Sequence, residues 1–302
     1  MVRILLNEGV EALVKWVDDF VFFRFPKSSN EGLISYSYEA DLVWNIADEL
    51  GWPWARSKFI PFDTVFPYIG FWWDIEAKFM SLPQAKKEKY LTKLVPWEAG
   101  AKMTKSEAES VIGTLNHVCL VVPDGQSHMP TLYRFRASFK ENDPAFIRHT
   151  ISSTLAEDLA WWKHKLSLDL LGIPIITLAE PLNVSLMVDA STSWGLGLVL
   201  DGKWLAWELV QGWKSDGRDI GWAEMVVIEL GLRTLIAKGL KDCHIIIRSD
   251  NQGVVGALLA GYSRNAQQNA ILCHIVFLMQ ESGIWLSTVW ISTKDNLADN
   301  PS

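Results

Sequence analysis

The sequence predicts an α/β fold over residues 182–302, a mixed sheet with flanking helices, preceded by a smaller α+β stretch and a helical one. Three observations predict it. Short apolar runs at 184–190, 195–200 and 203–208 are separated by little more than turn residues, the mark of an antiparallel meander. Beyond them the period alternates: helix 222–238, strand 243–249, helices 251–260 and 266–282, strand 285–291. Strands connected through helices run parallel, so the complete sheet is mixed and covered by helices. With 302 residues the chain has room for more than one domain of roughly 100–200 residues. The expected divisions are 1–100 (α+β), 101–181 (helical, ending in a linker) and 182–302.

The elements before residue 182 follow from the same signals. Residues 4–14 have helical spacing, and Val14–Phe23 brackets two acids with β-branched and aromatic residues, reading as strand, tight turn, strand. Residues 28–32 read as a loop. Glu39–Leu50 is a helix stopped by Gly51 and Pro53. Phe66–Trp73 reads as one strand and Asp74–Met80 as its return. Leu82–Leu94 is a Lys-rich helix whose Lys86, Lys87, Lys89 and Lys93 are expected on a solvated face. Thr104 with Glu107 opens a helix to Val121 through a capping box, and Leu155–Leu170 is a further helix. Gly172, Pro174 and Pro181 mark 172–183 as linker.

Composition bounds the function. The chain is 49% apolar and 21% charged, ordinary for a packed globular core, and most of its 16 Trp are expected inside. Net charge is −7, with 19 basic against 23 acidic residues in 1–181 and 9 against 12 in 182–302. Neither part is a basic platform, which argues against a simple polyanion binder, whereas an enzyme holding divalent cations tolerates the acidity. Cys119, Cys243 and Cys273 are odd in number and widely spaced, offering neither a disulfide framework nor a zinc motif. Glu8 and Glu11 interrupt any signal-peptide core, and no apolar run reaches ~18 residues. A soluble protein of a reducing intracellular compartment, cytoplasm or nucleus, with no membrane contact, is expected.

Four acids fall at element ends. Asp189 closes the strand in MVDAS, Glu224 lies in the first turn of the helix near Trp222, Asp250 closes the strand in RSDN, and Asp299 follows the last strand. Neighbouring strands would bring Asp189 and Asp250 together at the carboxyl edge of the sheet, where α/β folds build sites. Converging carboxylates with no basic partner need cations, and all-oxygen donors suit Mg²⁺ or Mn²⁺. Asp201, Asp216, Asp219 and Asp242 read as ordinary turn residues.

MVDAS, WAEM, RSDNQ and DNLADNPS together resemble the type 1 ribonuclease H domain of retroelement reverse transcriptases, and the ending is similar to that of hepadnaviruses and of DIRS-like or gypsy-type elements. The resemblance covers 184–302. It implies cleavage of the RNA strand of an RNA–DNA hybrid by two metal ions about 3.5–4 Å apart, with Asp189 between them, Glu224 and Asp250 on either side and Asp299 completing the second site. It also implies nucleic-acid contacts at Ser191, Asn251 and Gln252, and products with 5′-phosphate and 3′-hydroxyl ends. Two departures stand out: Thr288-Val289-Trp290 lacks the His that several relatives carry there, and with three residues after Asp299 the final helix is expected to be barely begun.

Upstream, Trp16-Val17-Asp18-Asp19-Phe20 resembles the YxDD metal-binding hairpin of a reverse transcriptase palm with Trp for Tyr, which makes Asp18 and Asp19 candidate metal ligands. Lys58 falls in a segment similar to the palm lysine, and Phe66–Phe71, with Tyr68 and Gly70, resembles the primer-grip hairpin. These three are the further candidate nucleic-acid contacts. Residues 82–139 look like thumb and connection. The 17 residues ahead of Asp18 hold no further Asp, so the stretch reads as a palm truncated at its N-terminus that does not polymerise alone. Three functions remain open on sequence: an active hybrid nuclease, an idle remnant or nucleic-acid-binding module, and a polymerase part completed by fingers and palm from another chain.

Overall fold

The computed structural model describes residues 1–28 and 34–302, with Ser28 and Asn183 described by backbone alone. By proximity the chain forms two units: Met1–Pro83 with Gly172–Ile175, and Gln84–Leu171 with Ile176–Ser302.

In the first unit the expected helix over 4–14 is shorter, spanning Val2–Asn7. Gly9 turns the chain at φ +100, and Ala12–Trp16 is already extended, because it pairs with Asp19–Phe23. Trp16 lies opposite Asp19, which leaves Val17 and Asp18 as the turn. Of the predicted loop 28–32 only Ser28 is described, ending the strand Pro26–Ser28; the rest lies outside the described residues. The helix Ala40–Glu49 ends as expected, with Gly51 at φ +62. Phe66–Trp73 is not one strand. The chain reverses at Ile69-Gly70, both at positive φ as a two-residue hairpin turn demands, so Val65–Tyr68 pairs with Phe71–Asp74. Phe79–Ser81 adds the next strand, and Gly172–Pro174, predicted as linker, adds a fourth. Trp54 packs edge-on to Phe20, Phe22 and Trp44, all half-buried. Most Trp were expected inside, but only Trp97 and Trp162 are buried, and Trp16, Trp52, Trp72, Trp194, Trp204, Trp285 and Trp290 are exposed.

The second unit opens with helices Gln84–Leu94, Lys105–Val118, Pro130–Ala137 and Ser153–Ser167, of which Pro130–Ala137 was not foreseen. The capping box of Thr104 and Glu107 forms as predicted. Lys87 departs from the solvated face expected of it. It is only 4% exposed, and its ammonium donates to the Leu168 and Asp169 carbonyls beyond the last turn of Ser153–Ser167, where a cation satisfies carbonyls that the helix leaves open.

The rest of this unit is the predicted α/β layer: β1 (Leu182–Ala190), β2 (Gly195–Leu200), β3 (Lys203–Glu208), α1 (Ile220–Ala237), β4 (His244–Ser249), α2 (Gln252–Ala260), α3 (Ala266–Ser282) and β5 (Trp285–Trp290). The sheet order is β3-β2-β1-β4-β5. β1, β2 and β3 pair antiparallel, and β4 and β5 run parallel to β1. Leu186, Val188, Leu198 and Ile247 from the sheet meet Ala223, Val227, Ile228 and Leu232 of α1 in a continuous core. Asp219 is more than a turn residue. It caps α1 by accepting from the Trp222 N–H at 2.9 Å, and it also accepts from Gln268 at the start of α3. Asn269 of α3 donates to the Ser127 carbonyl at 2.7 Å, tying this layer to the preceding helices. No helix among the described residues is long and apolar enough to cross a membrane.

Leu198 is fully buried at the centre of this layer. Leu198→Ala is expected to lower stability by about 2–5 kcal/mol, through lost burial and the cavity left behind, measured by equilibrium urea unfolding.

Candidate active site

Because β1 and β4 are adjacent and parallel, their carboxyl ends coincide. Asp189 lies one residue from the end of β1 and Asp250 follows the last residue of β4. Glu224 comes from α1, which begins at Ile220, two residues before the expected start, so the residue lies just past the first turn rather than within it. One carboxylate oxygen from each of the three lies within 4.8 Å of the others, and among the described residues this is the one group of three or more such side chains close enough to hold a metal ion. Asp189 is 6% and Glu224 3% exposed, with Asp250 half-buried.

Electrostatics follow from that crowding. Burial, reinforced by the charges of Asp189 and Asp250, pushes the Glu224 carboxyl up to about 8; the Ala190 backbone and the Asn251 side chain act the other way. Asp189 is raised as well, chiefly by burial and then by the Asp250 and Asp299 charges, against the lowering effect of a hydrogen bond from Ser302. Glu224 Oε2 is buried and has no hydrogen-bond partner. A buried carboxyl oxygen left without a donor, in a cluster whose ligands are all carboxylates, suits a hard divalent cation, so the residues fit such an ion.

The remaining predicted residues separate. Asp299 is exposed in the short turn Leu297–Asp299, outside the group of three but near enough for its charge to act on Asp189. Ser191 holds the β1–β2 turn, accepting from the Trp194 and Gly195 N–H groups. Asn251 caps α2, and Gln252 begins that helix, exposed at the same edge. Asp18 and Asp19 are exposed at their hairpin with no third acid beside them among the described residues. Lys58 is exposed in the turn Arg56–Lys58, and Gly70 makes the hairpin turn at φ +90. Tyr68 is half-buried with its hydroxyl raised by burial and by the Asp19 charge.

Two participants were not singled out from sequence. Asn296, 4% exposed, places its amide among the acids, and Ser302 donates to Asp189 Oδ2 at 2.5 Å. Both lie inside the quoted DNLADNPS, but only Asp299 drew attention there. Trp290, at the position without His, donates its indole N–H to the Asp250 carbonyl at 2.9 Å.

Neither a protein-family model nor a curated protein matches this chain. Among solved structures it is similar to LC11-RNase H1 in complex with an RNA/DNA hybrid, at 17% identity and TM-score 0.34 over 38% of this chain and 91% of that one. It is also similar to the foamy viral protease-reverse transcriptase with RNA/DNA hybrid, at 12% identity and TM-score 0.40 over 95% of this chain. A third likeness is to that viral enzyme with double-stranded DNA, at 13% identity and TM-score 0.40 over 98% of this chain. The chain spans 36% of the first viral chain and 58% of the second.

With its folded value near 8 against an ordinary 4.5, Glu224 favours folding while neutral. That contribution is full below about 4.5 and is lost as pH rises through about 8. In chelator, the thermal midpoint should therefore fall between pH 5 and 9. Glu224→Gln should flatten that fall, as should added Mg²⁺ or Mn²⁺ in the unaltered protein, followed by scanning calorimetry.

Proposed function

We propose that residues 182–302 are a metal-dependent ribonuclease H that cuts the RNA strand of an RNA–DNA hybrid. The observation that carries the reading is the buried group of Asp189, Glu224 and Asp250, with an unpartnered Glu224 oxygen among them. Folding alone gains nothing from three like charges in one poorly hydrated place. These three, joined by Asp299 from the rim, would hold two ions, Mg²⁺ or Mn²⁺. Bound there, such ions supply Lewis-acid stabilisation of phosphoryl oxygens and an activated water for in-line displacement.

The chain's own groups do the rest. Asp189 and Glu224 sit where little water reaches them, which strengthens their attraction for a cation. Trp290 anchors the backbone at Asp250. Ser191, Asn251 and Gln252 present polar groups at the same edge, suited to a ribose 2′-OH in the shallow minor groove that distinguishes RNA from DNA. Nine basic residues against twelve acidic in this stretch give little pull on phosphates, so affinity for the hybrid is expected to be weak at physiological salt.

Residues 1–100 are read as part of a reverse transcriptase palm. Asp18 and Asp19 lack a third carboxylate among the described residues, so this chain alone is not expected to extend a primer.

Incubation with labelled RNA–DNA hybrid at low salt, in Mg²⁺ or Mn²⁺ and in chelator, beside duplex RNA and duplex DNA, tests the reading. Metal-dependent loss of RNA from the hybrid alone is expected, and Asp189→Asn should reduce it by more than the roughly 10–100-fold typical of losing a partner outside the ligand set. No loss of RNA in either condition would leave a catalytically idle remnant, and equal loss in metal and chelator would overturn the metal dependence. Primer extension in the same tubes would overturn the polymerase part.

A further inference from the structure

The segment 296–302 reaches back over the sheet to the carboxylate group. Asn296 Oδ1 accepts from the Ala298 N–H at 3.2 Å, which fixes the amide so that its nitrogen faces the acids. Nδ2 donates to the Val188 carbonyl at 3.0 Å and stands 3.4 Å from both Asp189 Oδ1 and Asp250 Oδ1. Ser302 Oγ donates to the other Asp189 oxygen. Both oxygens of Asp189 are thus held from one segment. That segment lies flat only because Gly197 faces it across from Asp189: a Cβ at 197 would come within 2.4 Å of the Ala298 carbonyl and 2.8 Å of the Ser302 nitrogen.

We propose that Asn296 and Ser302 are positioning residues that orient Asp189 toward Asp250 and Glu224 so that the group takes up a divalent cation. Donors of this kind suit the task. A neutral amide and a hydroxyl reduce the repulsion between facing carboxylates without cancelling their charge, whereas a lysine there would occupy the cation's place. Carboxylate ligands are commonly fixed by such outer hydrogen bonds. The inference rests on the metal-dependent reading above.

The test is calorimetric titration of Mn²⁺ into the full chain, comparing the unaltered protein with Asn296→Ala, Ser302→Ala and Asn269→Ala. Asn269 provides a structural control, since its amide bonds the Ser127 carbonyl away from the acids. Asn296→Ala is expected to weaken Mn²⁺ binding roughly 10–100-fold and Ser302→Ala to weaken it in the same direction. Asn269→Ala should lower the thermal midpoint and leave the isotherm unchanged. Mn²⁺ bound as tightly by both Asn296→Ala and Ser302→Ala as by the unaltered protein overturns the positioning role. Absence of Mn²⁺ binding by the unaltered protein instead overturns the metal-dependent reading itself. Should circular dichroism show Asn296→Ala unfolded, Ser302→Ala, with its half-buried side chain, decides alone.

Discussion

Two buried carboxylates, Asp189 and Glu224, face a half-buried third, Asp250, and the carboxyl edge of the sheet is organised around that repulsion. Its largest component is dehydration rather than proximity: burial ranks ahead of the neighbouring charges for both Asp189 and Glu224. Every polar group supplied from the surroundings acts to relieve it, the Ala190 backbone and Asn251 on Glu224, Ser302 on Asp189. The relief is partial, since both carboxyls are still raised, Glu224 to about 8. A cation completes what these donors begin, and this is why a site that looks unfavourable as a piece of folding makes sense as a piece of chemistry.

The fold supplies the convergence with few specialised parts. Two adjacent parallel strands end side by side, and a helix packed on the same face brings the third acid to them. Small residues matter where backbones must approach closely. At Gly195 a Cβ would come within 2.0 Å of the Trp207 carbonyl on β3, and Gly197 admits the terminal segment. The meander therefore carries glycines where a strand would otherwise favour β-branched residues.

Much of this was legible in the sequence. Period-two runs and long helical periods place all eight elements of the 182–302 sheet layer to within a few residues, and from them the coincidence of Asp189 and Asp250 follows. What escaped were features decided by distant partners. Asn296 and Ser302 act across 107 and 113 residues of chain, and no local pattern announces that. Lys87 looked solvated because its neighbours are charged, yet open carbonyls eighty residues on draw it inside. Strand pairing with 19–23 overrode helical spacing in 12–14, and the two-residue turn at 69–70 divides a stretch whose β-prone composition reads as one strand. In each case tertiary pairing outweighed local propensity.

The reach of the terminal segment bears on the order in which the molecule takes shape. A contact closing more than a hundred residues carries a large loop-closure entropy, so it forms after the hairpins and helix–strand neighbours that shorten the path. Residues 293–299 contribute only brief 3-10 turns with few backbone bonds, the kind of region that opens locally while the sheet stays intact. The outer hydrogen bonds on Asp189 are thus made late and released early, whereas the strands and helix that gather the three acids hold without them.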